Sequence, residues 1–284
     1  MEDLAQRFEE QRPRLRAIAY RMLGSLAEAD DAVQEAWLRL SRTDAAQIEN
    51  LAAWLTTVVA RLSLNALRGR REEPRESLPE PILDRADGTD PEHEALLADA
   101  VGLALLVVLD ALNPAERLAF VLHDMFAVPF DEVGRIVDRS PEATRQLASR
   151  ARRRVRGENA VPDADPGTQR EVVDAFRNAS REGDFEALLK LLDPEIVLRA
   201  DFGAPRGIQV VHGADAVVRR AESYSRFDLV LRPALVNGVA GFVALRGDEP
   251  YSVGAFTVRA GRIVAIDIVA DPARMRALDL AILE

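Results

Sequence analysis

Between Arg135 and Arg156 the chain carries eight arginines against only Asp138 and Glu142, inside a sequence whose formal charge is −10. Guanidinium groups neutralise phosphates or read guanine edges bidentately, and glutamine pairs with adenine. The residues from Phe130 to Val155 organise that charge into a helix-turn-helix. Val133, Ile136 and Val137 give a short first helix its apolar face, and Asp138-Arg-Ser makes the turn. Ser140 is placed to cap the second helix, with Pro141 at its first position, where a missing N–H costs nothing. Thr144, Leu147, Ala148, Ala151 and Val155 point inward. Glu142, Arg145, Gln146, Ser149, Arg152 and Arg153 are left outside, with Arg150 beside them. A charge run alone would be a solvated face. The cap, the helix pair and the readout residues together point to a major groove.

Two further polar faces precede it. In the helix expected over 26–42, Glu28, Asp31, Glu35 and Arg39 form a stripe flanked by Asp30 and Gln34, with Trp37 nearby. Carboxylates cannot bind phosphates. On charge alone this stripe is a solvated face, or a surface for a basic protein. In the helix expected over 50–70, Thr57, Arg61, Asn65 and Arg68 share one face and Trp54 lies a turn earlier. That combination suits unpaired bases, which take cations on the backbone and stacking or pockets for the base. Trp54 reads equally well as core.

Other chemistry finds little support. Cysteine is absent, which removes disulfides, thiol catalysis and cysteine-based zinc together. His93, His123 and His212 are far apart and form no ligand-spaced pair, so neither metal nor cofactor is expected. Asp201, His212, Tyr224 and Asp267 are the polar candidates of the C-terminal part, but no paired acid–base arrangement can be placed among them, and no enzyme is expected.

The elements that must position these residues fall into segments. Apolar residues make up 48 %, enough for real cores. No apolar run approaches the ~20 residues of a membrane span and the N-terminus is acidic, so a soluble, cytoplasmic chain without membrane contact is expected. Residues 1–72 are helical by period. Leu15, Ile18 and Met22 share one face, and Leu26, Ala29, Val33, Trp37 and Leu40 a second. Trp54, Leu55, Val58, Val59, Leu62 and Ala66 form a third, and Ser25 is a plausible N-cap. Residues 73–92 are proline-rich and read as a linker, 93–157 return to helix, and 158–167 form a second linker. From 168 to 284, two short helices (about 168–182 and 184–192) precede β-like sequence. Phe227–Val236 and Val239–Arg246 flank the hairpin dipeptide Asn237-Gly238, and Tyr251–Val258 and Ile263–Val269 flank Ala260-Gly261. The expectation is an α+β domain with a curved sheet.

These residues resemble a family. Tyr20 to Arg39 (YRMLGSLAEADDAVQEAWLR) resembles the second region of extracytoplasmic-function sigma factors. Ala53 to Arg68 resembles their promoter-melting, −10-reading helix. Leu112 to Phe126 and the helix-turn-helix resemble their −35-reading region. Leu78-Pro-Glu-Pro-Ile-Leu resembles a linker motif of the subgroup with a SnoaL-like C-terminal extension, the SigJ type. Gly183 to Leu198 is similar to the helix-to-first-strand passage of cone-shaped, nuclear-transport-factor-like domains. Where that subgroup has a glycine-rich Asp-Gly-Gly-Gly-Lys/Arg motif, this chain reads Asp201-Phe-Gly-Ala-Pro-Arg206. Its terminal Asn-Pro-Asp-Lys-Leu-like motif reads Asp271-Pro-Ala-Arg-Met275 here.

The resemblance implies two all-α sigma-factor domains, the second with the helix-turn-helix, followed by a cone-shaped α+β SnoaL-like domain. It implies core RNA polymerase and promoter DNA as partners. Asp30, Asp31, Gln34, Glu35 and Trp37 would meet the clamp helices of the polymerase largest subunit, and the flap of the polymerase would be a further contact. Trp54, Thr57, Arg61, Asn65 and Arg68 would face the −10 element; Arg145, Gln146, Ser149, Arg150, Arg152 and Arg153 would face the −35 element. Leu78, Pro79, Glu80, Pro81, Asp201 and Arg206 would couple the extension to the linker. Two alternatives remain open: a one-component helix-turn-helix regulator whose SnoaL-like domain binds a small molecule, and a SnoaL-like enzyme on a DNA-binding tether.

Overall fold

Apolar residues recurring at helical spacing build the first three helices: α1 (Glu2–Leu23), α2 (Leu26–Arg42) and α3 (Leu51–Gly69). The computed structural model describes residues 2–44, 48–70, 77–85, 102–157, 161, 165–224 and 227–278. Of the expected linkers, residues 73–76, 86–92, 158–160 and 162–164 lie outside these, as does the expected restart of helix at 93. Leu15, Ile18 and Met22 of α1 meet Ala29, Val33, Ala36 and Leu40 of α2 in a buried core. Gly24, at φ +68°, lets the chain reverse between the two helices. Ser25 stands at the α2 N-cap, but its hydroxyl makes no capping bond, contrary to expectation. Asn50 caps α3, its side chain accepting from Ala53 N–H at 3.1 Å. The buried face of α3 is Leu51, Leu55, Val59, Ala60 and Leu64. The expected apolar face is therefore rotated: Trp54 is half-buried and Ala66 is exposed.

Beyond residue 102 come α4 (Leu103–Asp110), α5 (Pro114–Phe120), a π turn over Val121–Met125, α6 (Phe130–Val137) and α7 (Pro141–Gly157). Asn113 caps α5 by accepting from Ala115 and Glu116 N–H. The α1–α3 helices and the helices of residues 108–156 belong to one compact unit. In it α3 packs on α5 and α6, and α1 on the π turn. The seam is polar and buried. Arg117, 2 % exposed, donates from Nε and Nη2 to the Arg21 carbonyl at 3.1 and 2.9 Å, and its Nη1 pairs with Asp110. A cation on a carbonyl of the last turn of α1 complements the helix dipole. Arg14 bridges Thr56 Oγ1 (3.0 Å) and the Phe126 carbonyl (3.3 Å), and the Arg21 guanidinium lies 4.8 Å from the centre of the Phe126 ring.

The second unit joins residues 77–85 and 102–107 to the chain from α8 onward. Its elements are β1 (Leu83–Arg85), α8 (Pro166–Glu182), α9 (Phe185–Leu191), β2 (Leu192–Asp201), β3 (Ile208–His212), α10 (Ala214–Tyr224), β4 (Val230–Val236), β5 (Val239–Arg246), β6 (Glu249–Arg259), β7 (Arg262–Val269) and α11 (Pro272–Arg276). The strands form one sheet in the order β1-β4-β5-β6-β7-β2-β3; only the β2–β7 pair is parallel. The inner face carries Leu198, Ala200, Phe242, Phe256 and Ile266 against Val173 and Phe176 of α8 and Val217 of α10. This is the α+β cone expected. Strands β5 and β6 are buried almost continuously rather than at alternate residues, so both faces are covered. Residues 77–85, α11 with buried Met275, and Gly102 against Val239 supply cover.

Candidate functional site

The helix-turn-helix is set by its turn. Asp138 adopts the left-handed conformation (φ +56°, ψ +52°), which ends α6 and re-aims the chain. Ser140 Oγ then accepts from Ala143 N–H at 3.2 Å, the cap the sequence suggested. Close packing holds the two helices: a Cβ on Gly134 would lie 2.7 Å from the Arg139 carbonyl oxygen. Gly134→Ala is therefore expected to cost about 1–3 kcal/mol through overpacking, read as a lowered thermal midpoint; an unchanged midpoint would show that the turn gives way freely.

On α7, Thr144, Leu147, Ala148, Ala151 and Val155 are buried as expected, and Arg145, Gln146, Ser149, Arg150 and Arg153 are exposed. The arginines are not equivalent. Arg150 is paired with Glu116 of α5 at 2.6 Å and Arg152 with Asp124 of the π turn. Arg145 lies 5.5 Å over the Phe130 ring and 3.8 Å from Glu142. Arg153 makes no ion pair among the described residues. Arg145, Gln146, Ser149 and Arg153 are thus the groups most readily offered to a groove.

On α3, Trp54, Thr57, Arg61, Asn65 and Arg68 lie on the arc opposite the core. Arg61, Asn65 and Arg68 are exposed, Trp54 and Thr57 half-buried. Arg61 Nη2 donates to the Arg135 carbonyl of α6 at 3.2 Å. The face read as base-binding is therefore in contact with the helix-turn-helix. On α2, Asp31 and Gln34 are exposed. Asp30 accepts a two-pronged bond from Arg16 (2.7 and 3.1 Å), and Glu35 pairs with Arg39. Trp37 is half-buried against Phe8, ring centres 5.0 Å apart. Beside them Leu38 is a large exposed apolar side chain that the sequence reading passed over.

The linker motif is clasped by the C-terminal domain. Asp201, fully buried, accepts from Leu78 N–H (2.9 Å) and Gly203 N–H (2.9 Å), and pairs with Arg274 at 2.8 Å. Arg274 also donates to the Leu78 carbonyl (3.0 Å) and the Pro79 carbonyl (2.8 Å). Asn237 donates its N–H to the Ile82 carbonyl at 2.8 Å and accepts from Ile82 N–H at 3.3 Å. β1 then pairs antiparallel with β4, Leu83 opposite Val236. Leu78, Pro79, Pro81, Ile82 and Leu83 are buried and Glu80 partly so. Arg206 is not in this clasp; it stacks 4.5 Å over Phe202 and is exposed. Arg274 and Asn237 are the residues missed. Arg274 stands where the related terminal motif has lysine, which was the available signal. Asn237, a turn residue by its sequence context, also holds Ile82.

The four polar candidates do not converge. Asp201 serves the clasp, His212 is exposed on β3, and Asp267 lies on the outer sheet face with Arg199 at 2.9 Å; Tyr224 alone lines the interior cavity. Burial raises the Asp267 carboxyl above its ordinary value of 3.8, and Arg199 draws it partly back. A carboxyl raised on folding favours the fold fully below pH 3.8 and withdraws that support as pH climbs through its folded value. The wild type is therefore expected to lose more stability than Asp267→Asn as pH rises above 3.8; denaturation midpoints that stay parallel as pH rises from there would contradict it. Among the described residues no His/Asp/Glu group could hold a metal ion, and no helix is long and apolar enough to cross a membrane.

Comparison with known proteins adds the following. Residues 7–73 match Sigma-70 region 2, and residues 102–155 match Sigma-70 region 4. The ECF RNA polymerase sigma factor SigJ of Mycobacterium tuberculosis (strain ATCC 25618 / H37Rv) is 40 % identical over 284 residues, covering 93 % of this chain and 91 % of that protein. The probable ECF RNA polymerase sigma factor SigI of M. tuberculosis (strain CDC 1551 / Oshkosh) is 34 % identical over 270 residues, covering 91 % and 90 %. The crystal structure of M. tuberculosis SigJ superposes with a TM-score of 0.79 at 37 % identity, covering 97 % of this chain and 99 % of that one.

Proposed function

The chain belongs to the extracytoplasmic-function RNA polymerase sigma factors, and we propose that its C-terminal domain sets the reach between its two promoter-binding modules by holding the linker that joins them. As a sigma factor it binds core RNA polymerase and directs it to specific promoters. The one-component regulator is not favoured, because both sigma regions are present. A sigma factor makes and breaks no bond, so the chain is read as a non-enzyme.

In this reading α2 presents Asp31 and Gln34, with Asp30, Glu35 and Trp37, to the clamp helices of the polymerase largest subunit; the helices around the helix-turn-helix face the flap. Trp54, Thr57, Arg61, Asn65 and Arg68 take the −10 element. Capture of an extruded base there offsets an unstacking cost of a few kcal/mol. Arg145, Gln146, Ser149 and Arg153 read the −35 element, while Arg150 and Arg152 must first leave Glu116 and Asp124.

The single observation that carries the proposal is the clasp of Leu78 and Pro79 by Asp201 and Arg274. The two promoter elements are named for positions about 25 base pairs apart, roughly 85 Å along B-form DNA. Arg61 and Arg135 are 3.2 Å apart. The two modules must therefore part before both elements are engaged, and the linker limits how far. Twenty extended residues reach at most about 70 Å. Fixing residues 78–85 leaves roughly 40 Å of free tether, so the clasp governs spacing.

Run-off transcription with core polymerase tests this, on promoters whose spacer is lengthened or shortened by single base pairs. Arg274→Ala and deletion of 168–284 should each broaden or shift the preferred spacer. Identical spacer profiles for wild type and both variants would sink the proposal, and failure of the full chain to bind core polymerase would sink the premise.

A further inference from the structure

Inside the cone, between α8, α10 and the inner sheet face, lies a cavity of about 820 Å³ that the clasp does not use. Its volume falls within the range of small-molecule sites, about 300–1,000 Å³. Leu198, Phe242 and Ile266 form apolar walls, with the polar side chains of Asn178, Ser180, Tyr224 and Ser252 elsewhere in the lining.

One cation faces this space with no carboxylate to neutralise it. Arg220 of α10 is half-buried and makes no ion pair among the described residues. Its Nη2 donates to Gln209 Oε1 at 2.6 Å, and its guanidinium sits 5.8 Å from the Phe202 ring and 5.5 Å from the Tyr224 ring. These contacts fix the plane of the fork and use one of its five N–H donors. The other arginines of the lining are engaged: Arg177 by Asp174 and the Leu231 carbonyl, Arg181 by Glu182. The acids of the lining, Glu182 and Asp228, are exposed at the rim. Among the described residues, a single available guanidinium balances one negative charge. A phosphate dianion would be under-neutralised and would also meet the rim carboxylates.

We propose that this cavity binds an amphipathic organic carboxylate, its headgroup on the Arg220 fork and its apolar tail along Leu198, Phe242 and Ile266. A carboxylate matches the fork bidentately, and flanking aromatic rings shield the pair from water and strengthen it. With both carboxylates of the lining at the rim, the site has no interior acid–base pair among the described residues. It is a receptor for the molecule, not a place of turnover.

Three probes with one tail separate the headgroup from simple hydrophobic capture: dodecanoate, dodecan-1-ol and dodecyltrimethylammonium, each titrated below its micelle concentration against the full chain by calorimetry. The expected result is saturable binding of one dodecanoate per chain, at least about tenfold tighter than the alcohol, with the ammonium weaker still. Arg220→Gln should erase the preference of acid over alcohol while leaving the alcohol unchanged. Leu198→Trp, which fills the cavity, should weaken both. Equal affinity of wild type for acid and alcohol, a preference that survives Arg220→Gln, or no saturable dodecanoate binding each overturns the proposal. The comparison of headgroups on the wild type does not depend on any variant folding.

Discussion

Asp201→Ala is expected to destabilise the second unit by about 3 kcal/mol and to free the linker in the same step. The carboxylate is fully buried and accepts from Leu78, Gly203 and Arg274. Its removal leaves a largely buried guanidinium and two N–H groups without their acceptor, and hydrogen bonds to charged groups contribute about 1.5–3 kcal/mol each. Arg274→Ala should cost less, because Asp201 keeps two backbone donors. The double variant should fall well short of the sum, since both act on one network. Thermal or denaturant unfolding gives the energies, and limited proteolysis around 77–85 reports linker release. Additive energies, or an unchanged cleavage pattern, would mean that the linker is held by its apolar side chains alone.

Arg117→Ala should be the most damaging single change in the first unit. Arg117 ties α5 to the last turn of α1 and to Asp110 from a site 2 % exposed to solvent. Removing one partner of a fully buried pair costs about 3–5 kcal/mol; the Arg21 carbonyl loses both its donors here, while Asp110 keeps 19 % of its side chain exposed, which places the loss at the lower end. The bonds to the Arg21 carbonyl join the two modules that, in the function proposed above, part on a promoter. Below its lowered midpoint, the variant should show a larger hydrodynamic radius and bind core polymerase more tightly than wild type. Arg117→Lys keeps the charge but loses the fork and should lie between. An Arg117→Ala protein that is destabilised yet as compact as wild type would place the cost inside one module and remove the coupling.

What could be read in advance was local. The helix-turn-helix was legible because a cap, a proline at the first helical position and an apolar period lie within one stretch of chain. The α2 boundaries and the β4–β5 and β6–β7 hairpins were legible for the same reason. What escaped depends on partners distant in sequence. Leu78 meets Asp201 across 123 residues and Arg274 across 196, and no period encodes that. Trp54 could not be assigned because its position on α3 separates core from surface only once the neighbours of the helix are known. Strand parity keeps Asp201 and Asp267, two polar candidates of the C-terminal part, out of the cavity. Leu198, Ala200 and Ile266 face the cone, so Arg199, Asp201 and Asp267 must face out. The near-continuous burial of β5 and β6 follows from cover on the second face, which a hydrophobic pattern cannot attribute to its source.

The seventh strand has a practical corollary. β1 is borrowed from upstream of the helix-turn-helix, with Ile82 bonded to Asn237 across 155 residues of chain. The C-terminal domain is therefore not a cartridge that can be cut at a single point and transplanted. An excised fragment beginning at α8 would carry a bare β4 margin with unanswered amides and carbonyls, ready to pair with the same margin of another fragment. Grafting it onto a different sigma factor requires moving two separate pieces of sequence together.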